Sequence, residues 1–150
     1  MASPDTIACT GLSAHAASEA VTSDDVASRP LAAVISPDLI APLAAGRLAD
    51  QALAARVARN ARCADSSLDP DEWFPVSIDP GQARQEAAAA IAVCAGCLVR
   101  GQCLELSMRH GGIGNHGVWG GLVAADRARL RARLPAGTAV RLADRAGGGG

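Results

Sequence analysis

The chain has 150 residues and a net charge of -1; hydrophobic residues make up 49% of it, but alanine inflates that share, since there is one Phe, no Tyr and only two Trp. Such a length allows one ordinary domain, and a core of Ala, Leu and Val buries little area per residue at about 25 cal/mol per Å², so the domain is expected to need a staple. No stretch approaches the roughly 20 apolar residues of a bilayer span and no basic segment precedes an apolar run, which argues against a membrane or exported protein and predicts a soluble, cytoplasmic one.

The small net charge hides an asymmetry. Residues 1–80 carry 5 Arg against 11 Asp and Glu, whereas residues 81–150 carry 9 Arg against 4. All 14 basic residues are arginine, which favours bidentate contact with phosphate or carboxylate.

In chain order, residues 1–43 are rich in Ala, Ser, Asp and Pro, with Pro30, Pro37 and Pro42 interrupting any helical pattern, and are predicted to be disordered. From Ala44 to Arg62 strong helix formers and the i, i+4 pair Leu53 and Val57 predict a helix leading into Cys63. The following segment, with Pro70, Pro75, Pro80 and Gly81, places Trp73 and Phe74 in an irregular loop. A second helix is predicted over Gln82–Val93, delivering Cys94 and Cys97. The run Gly111–Gly121 is too rich in glycine for a helix. A last helix spans Ala124–Leu134, stopped by Pro135, and residues 135–150 form a flexible tail. The fold class is therefore all-α, a small bundle of about four helices in a domain spanning 44–134.

Five cysteines in a reduced compartment favour metal or redox chemistry over a disulfide framework. Cys9 is the odd one. The others follow the pattern C-x30-C-x2-C-x5-C: Cys63, Cys94, Cys97 and Cys103. Cys94 and Cys97 share a helix face, but Cys103 on the same unbroken helix would point about 180° away at 100° per residue. Convergence requires a break, which Gly101 is expected to supply. Structural zinc sites usually bring two short knuckles, and the second is missing here. Three close cysteines plus a remote one fit iron–sulfur ligation better. A zinc-stapled interaction module remains an alternative, as does a disulfide reductase cycling Cys94 and Cys97 in the metal-free form, although a thioredoxin-like fold would need strands. His15, His110 and His116 are read as solvated loop residues.

These cysteines, together with LDPDEWFP (Leu68–Pro75), VCAGCLVRGQCLELS (Val93–Ser107), GVWGGL (Gly117–Leu122) and the arginine-rich helix, resemble the WhiB-like (Wbl) family of actinobacterial transcription regulators over Leu48–Leu134. The resemblance implies one [4Fe–4S] cluster on the four cysteines, sensitivity to oxygen and nitric oxide, no catalysis, and docking on the C-terminal region of the primary sigma factor of RNA polymerase. It also implies that Trp73, Phe74 and the turn Gly117, Val118, Trp119, Gly120 and Gly121 form the sigma-facing surface. Departures are Leu98 where the family usually has proline, Trp73 where Phe is commoner, and Val123 where a polar helix cap is expected. Independently of the resemblance, Arg127, Arg129, Arg131 and Arg133 are candidate DNA-phosphate contacts around an apolar face made by Leu130 and Leu134.

Overall fold

In a computed structural model the described residues are 30, 35–45, 48–135 and 138. They form α1 (Pro37–Ala45), α2 (Asp50–Asn60), two 3-10 turns (Arg62–Asp65 and Pro70–Trp73), α3 (Pro80–Glu86), α4 (Ala88–Ala95), α5 (Arg100–Arg109), the single-turn α6 (Gly111–Gly114) and α7 (Ala124–Arg133). Among the described residues there is no strand, only an isolated antiparallel bridge between Trp119 and Leu122. The expected all-α class is the one observed. No helix among these residues is long and apolar enough to cross a membrane.

Among the described residues seven named helices stand where about four were expected, for three local reasons. Residues 37–43, predicted disordered, belong to α1, while the rest of the predicted N-terminal segment, apart from residues 30, 35 and 36, and nearly all of the predicted tail lie outside the described residues. Pro37 sits at the first helical position, where its missing N–H removes no bond. Pro42 lies inside the helix at a cost of about 3 kcal/mol. Leu39 and Leu43, one turn apart, are 3% and 2% exposed, and burial of each returns about 1.5–3 kcal/mol. The apolar term therefore carries the helix through its proline. The second departure is a break at Ala87, which divides the predicted Gln82–Val93 helix into α3 and α4. α3 also starts earlier, at Pro80, because the Asp79 carboxylate caps it by accepting the Gln82 N–H at 2.9 Å. The third is α6, a turn of helix built largely of glycine.

Helix α5 is the axis of the fold. Leu104 and Met108 pack with Leu39, Leu43, Leu122 and Leu130, while Leu106 packs with Leu53 and Val57 from α2. A further cluster joins Ala83, Ala87, Ile91 and Val123. Val123 gives α7 no side-chain cap, as its sequence suggests, and is instead buried. Ion pairs lock the helices where alanines bury little: Arg84 of α3 holds both carboxylate oxygens of Asp126 in α7 at 2.7 Å, and Arg109 of α5 bonds Asp50 of α2 at 2.6 Å as well as Glu105. The bond to Asp126 raises the Arg84 pKa further.

Candidate metal centre

The four cysteines reach one region from three elements. Cys63 lies in the first 3-10 turn and is exposed; Cys94 lies in the last turn of α4 and is buried; Cys97 and Cys103 are half-buried. The chain does bend between Cys94 and Cys103, but not at Gly101. Gly96 (φ -95, ψ 11) ends α4 and Val99 (φ -108, ψ 23) precedes α5, so the corner spans 96–99. Gly101 is inside α5. A Cβ there would stand 2.7 Å from Pro42 Cγ, so its glycine lets α1 press against α5 rather than bending the chain.

A cavity of about 340 Å³ opens beside this corner, lined by Cys63, Cys94, Cys103, Val57, Ala61, Trp73, Phe74, Gly117, Val118 and Trp119. It brings together three of the four cysteines and five of the seven residues expected to face a partner. Cys97 lines a separate cavity of about 290 Å³ with Pro42, Leu98 and Gly101. The Val118 N–H donates to the Trp73 carbonyl at 2.9 Å, stitching the two aromatic motifs together. Gly117 (φ 61) tolerates that approach because it lacks a side chain: a Cβ would stand 2.9 Å from the Phe74 ring. Trp73 and Trp119 are half-buried, and Phe74 is 59% exposed. The aromatics thus share their surface between core and solvent.

Trp119 and Leu122 exchange both backbone hydrogen bonds, at 3.1 and 3.0 Å, around Gly120 (φ 57) and Gly121 (φ 74). Two positive φ values at the centre of a two-residue turn are those of type I′, for which Gly-Gly is well suited. The turn leaves its two central N–H groups free for other acceptors. The Gly121 N–H lies near the Cys94 thiol and the Gly120 N–H near that of Cys103, each opposing a rise in the thiol's pKa. Burial nevertheless pushes the Cys94 thiol up to about 11 and that of Cys103 up to about 12, outweighing these donors. With values that high, both thiols are protonated at neutral pH.

Among the described residues no three His, Cys, Asp or Glu stand close enough to hold a single ion. The donor set has the chemistry of a larger thiolate-bound group rather than of a single ion: a cavity at the corner, three cysteine sulfurs from separate elements on its walls, and backbone N–H groups near two of them.

The arginine assignments divide. Arg129 and Arg133 are exposed and Arg131 is half-buried, with its Nη2 enclosed and lacking a hydrogen-bond partner. Arg127 corrects the expectation of a DNA contact: it is 0% exposed. Its guanidinium donates to the carbonyls of Gly114, His116, Gly117 and Leu122. Burial, ahead of repulsion by Arg131, lowers its pKa to about 10, so it remains charged at neutral pH. Arg100, within the cysteine motif but given no role by the sequence, donates from Nε to the Gly120 carbonyl at 3.0 Å. His116 is exposed as expected, whereas His110 pairs with Asp50 at 3.2 Å, and His15 lies outside the described residues.

The family model described as transcription factor WhiB matches residues 58–130. The transcriptional regulator WhiB2 of Mycobacterium tuberculosis is 38% identical over 71 residues, covering 47% of this chain and 68% of that one. The WhiB2 regulator of Mycolicibacterium smegmatis is 33% identical over 107 residues, or 71% and 75% of the two chains, and the WhiB regulator of Streptomyces coelicolor is 37% identical over 71 residues, or 47% and 70%. No solved structure matches the chain significantly.

Proposed function

The chain belongs to the WhiB family of transcriptional regulators, and we propose that it regulates by coupling one [4Fe–4S] cluster on Cys63, Cys94, Cys97 and Cys103 to a surface that docks on the C-terminal region of the primary sigma factor. The observation that carries this reading is the shared cavity, in which cysteines and the aromatic residues of both motifs line the same walls. A change at the cysteines is then a change in the walls that hold Trp73, Phe74 and Trp119. The cluster supplies sensitivity to oxidants and nitric oxide. The protein supplies four thiolates, the Gly120 and Gly121 donors, and the aromatic surface that continues into exposed Val76 and Ile78.

On this reading Arg129 and Arg133, exposed in the last turns of α7, add DNA-phosphate contacts, and the protein acts in the cytoplasm beside the polymerase. Anaerobic purification followed by iron and sulfide assays tests the cluster, with four irons per chain expected. A colourless protein carrying stoichiometric zinc overturns it. Capture of the sigma factor by wild type but not by Trp119→Ala tests the surface; equal capture by both removes Trp119 from it.

The disulfide-reductase alternative is disfavoured by the site itself. Attack by a C-x-x-C thiol depends on a lowered pKa, whereas Cys94 is buried and raised to about 11. Insulin turnover by the reduced, metal-free protein, lost in Cys94→Ser, would restore that alternative.

A further inference from the structure

Arg127 is built into the fold in a way that a phosphate-contacting arginine is not. A guanidinium has five N–H donors, and here each finds a carbonyl: Nε and Nη2 on Gly114 at 3.0 and 2.7 Å, Nη2 on His116 at 2.8 Å, and Nη1 on Gly117 at 2.8 Å and on Leu122. These acceptors bracket the whole segment 114–122, including the Gly120–Gly121 turn. Arg100 holds the same turn from the other side through the Gly120 carbonyl.

The charge balance is as unusual as the hydrogen bonding. Carbonyls satisfy the donors but leave a full positive charge buried, and buried charges are costly without an opposite partner. Asp126 is the adjacent residue, yet Arg84 occupies both its oxygens. Among the described residues no carboxylate forms an ion pair with Arg127. Its acceptors Gly117 and Leu122 flank Val118 and Trp119, which line the cavity beside the cysteines. A [4Fe–4S] core held by four thiolates is net negative, and this region therefore carries a cation in place before the anion arrives.

We infer that Arg127 is a positioning residue of the cysteine centre: it fixes the 114–122 segment so that the Gly120 and Gly121 N–H groups face Cys103 and Cys94, and its charge offsets that of the bound cluster. The inference rests on the cluster reading above. Donors to ligand sulfurs and nearby positive charge both stabilise the more negative, reduced form of a cluster and raise its reduction potential. The last helix and the cluster are thereby joined through one side chain, since Arg127 belongs to α7 and holds the turn that covers the sulfurs.

The test compares cluster-loaded wild type with Arg127→Lys, which keeps the charge but not the five-donor fork, and Arg127→Met, which loses both. Arg59→Met, removing an exposed arginine of α2, controls for net charge. Bleaching of the visible absorption at fixed oxygen is expected to be faster in Arg127→Met, by about 10-fold if it follows the lower end of the metal-affinity loss for an outer-shell partner, with a reduction potential shifted downward. Arg127→Lys is expected to keep the potential nearer that of wild type while deuterium exchange at the Gly120 and Gly121 amides accelerates. Arg59→Met should match wild type in all three readouts. Arg127 variants that bleach, titrate and exchange as wild type does overturn the inference, as does an equal effect from Arg59→Met. Should Arg127→Met fail to fold, exchange in the loaded wild type still decides: Gly120 and Gly121 amides exchanging as fast as that of exposed Asn115 overturn it. A wild type that takes up neither iron nor sulfide overturns the cluster reading and this inference together, whereas normal loading beside indifferent variants overturns this inference alone.

Discussion

At the scale of single residues, the pair Arg84 and Asp126 is the most consequential contact outside the cysteine corner. Both side chains are nearly buried, and the bidentate geometry ties α3 to the first turn of α7. Removing one partner of such a pair costs about 3–5 kcal/mol, a large part of the 5–15 kcal/mol that typically holds a domain together. Asp126→Ala is therefore expected to lower the urea midpoint of the anaerobic, loaded protein sharply, and Arg84→Met combined with Asp126→Leu to recover much of the loss. A midpoint for Asp126→Ala equal to that of wild type would show the pair to be dispensable. Neither partner was singled out by the sequence, because a pairing across 42 residues has no local signature. The grouping of Cys63, Cys94 and Cys103 about one cavity was legible because spacing and residue type carry their own chemistry. Arg127 was misread although a signal existed: Val123, Arg127, Leu130 and Leu134 recur at helical spacing and share one face of α7, which is the core face. Counting the arginines as a group obscured it.

At the scale of elements, local pairs of apolar residues identified helices well and prolines misled. Leu53 and Val57 mark α2, and both are buried. Leu39 and Leu43 have the same spacing in α1, but Pro37 and Pro42 between and before them read as breakers; only the packing against α5 shows that burial outweighs the proline. That packing predicts a compensating pair. Gly101→Ala should lower the thermal midpoint, since overpacking costs about 1–3 kcal/mol, and should lower it less in a Pro42→Ala background, where the atom that the new Cβ meets at 2.7 Å is gone. An equal effect of Gly101→Ala in both backgrounds would refute the contact. For α7, exposure separates the arginines: Arg129→Ala and Arg133→Ala should each reduce the slope of log affinity for promoter DNA against log salt by about 1, the signature of one lost phosphate contact. Slopes unchanged in both variants would leave α7 without a role in DNA binding.

At the scale of the whole molecule, the expectation of a staple follows from how the core is divided. The described residues bury three modest apolar clusters rather than one large one, and only α5 and the Trp119–Leu122 turn link the first and third. Cys63 arrives from the 3-10 turn after α2, Cys94 from the end of α4, Cys97 from the corner that follows it, and Cys103 from α5. A group bound to all four closes the loop between Cys63 and Cys94, and the ordering entropy of that loop is borne by metal binding. With the group absent, protonated thiols at Cys94 and Cys103 provide no tie, and the exposed Cys63 turn is held chiefly through α2. Removing the metal with a chelator under reducing conditions is accordingly expected to lower far-UV helicity and enlarge the radius of gyration, and Cys63→Ser to do the same without chelator. The loss should begin at residues 60–75 and the 117–122 turn, seen as faster amide exchange there, while the α1–α5 contact around Leu39, Leu43, Leu104 and Met108 stays protected longest. That order follows from burial, because the contact draws on leucines at the centre of the largest cluster and on no cysteine. Metal-free protein with unchanged helicity, radius and exchange would mean that the alanine-rich bundle is self-sufficient and that the cysteines serve signalling without serving the fold.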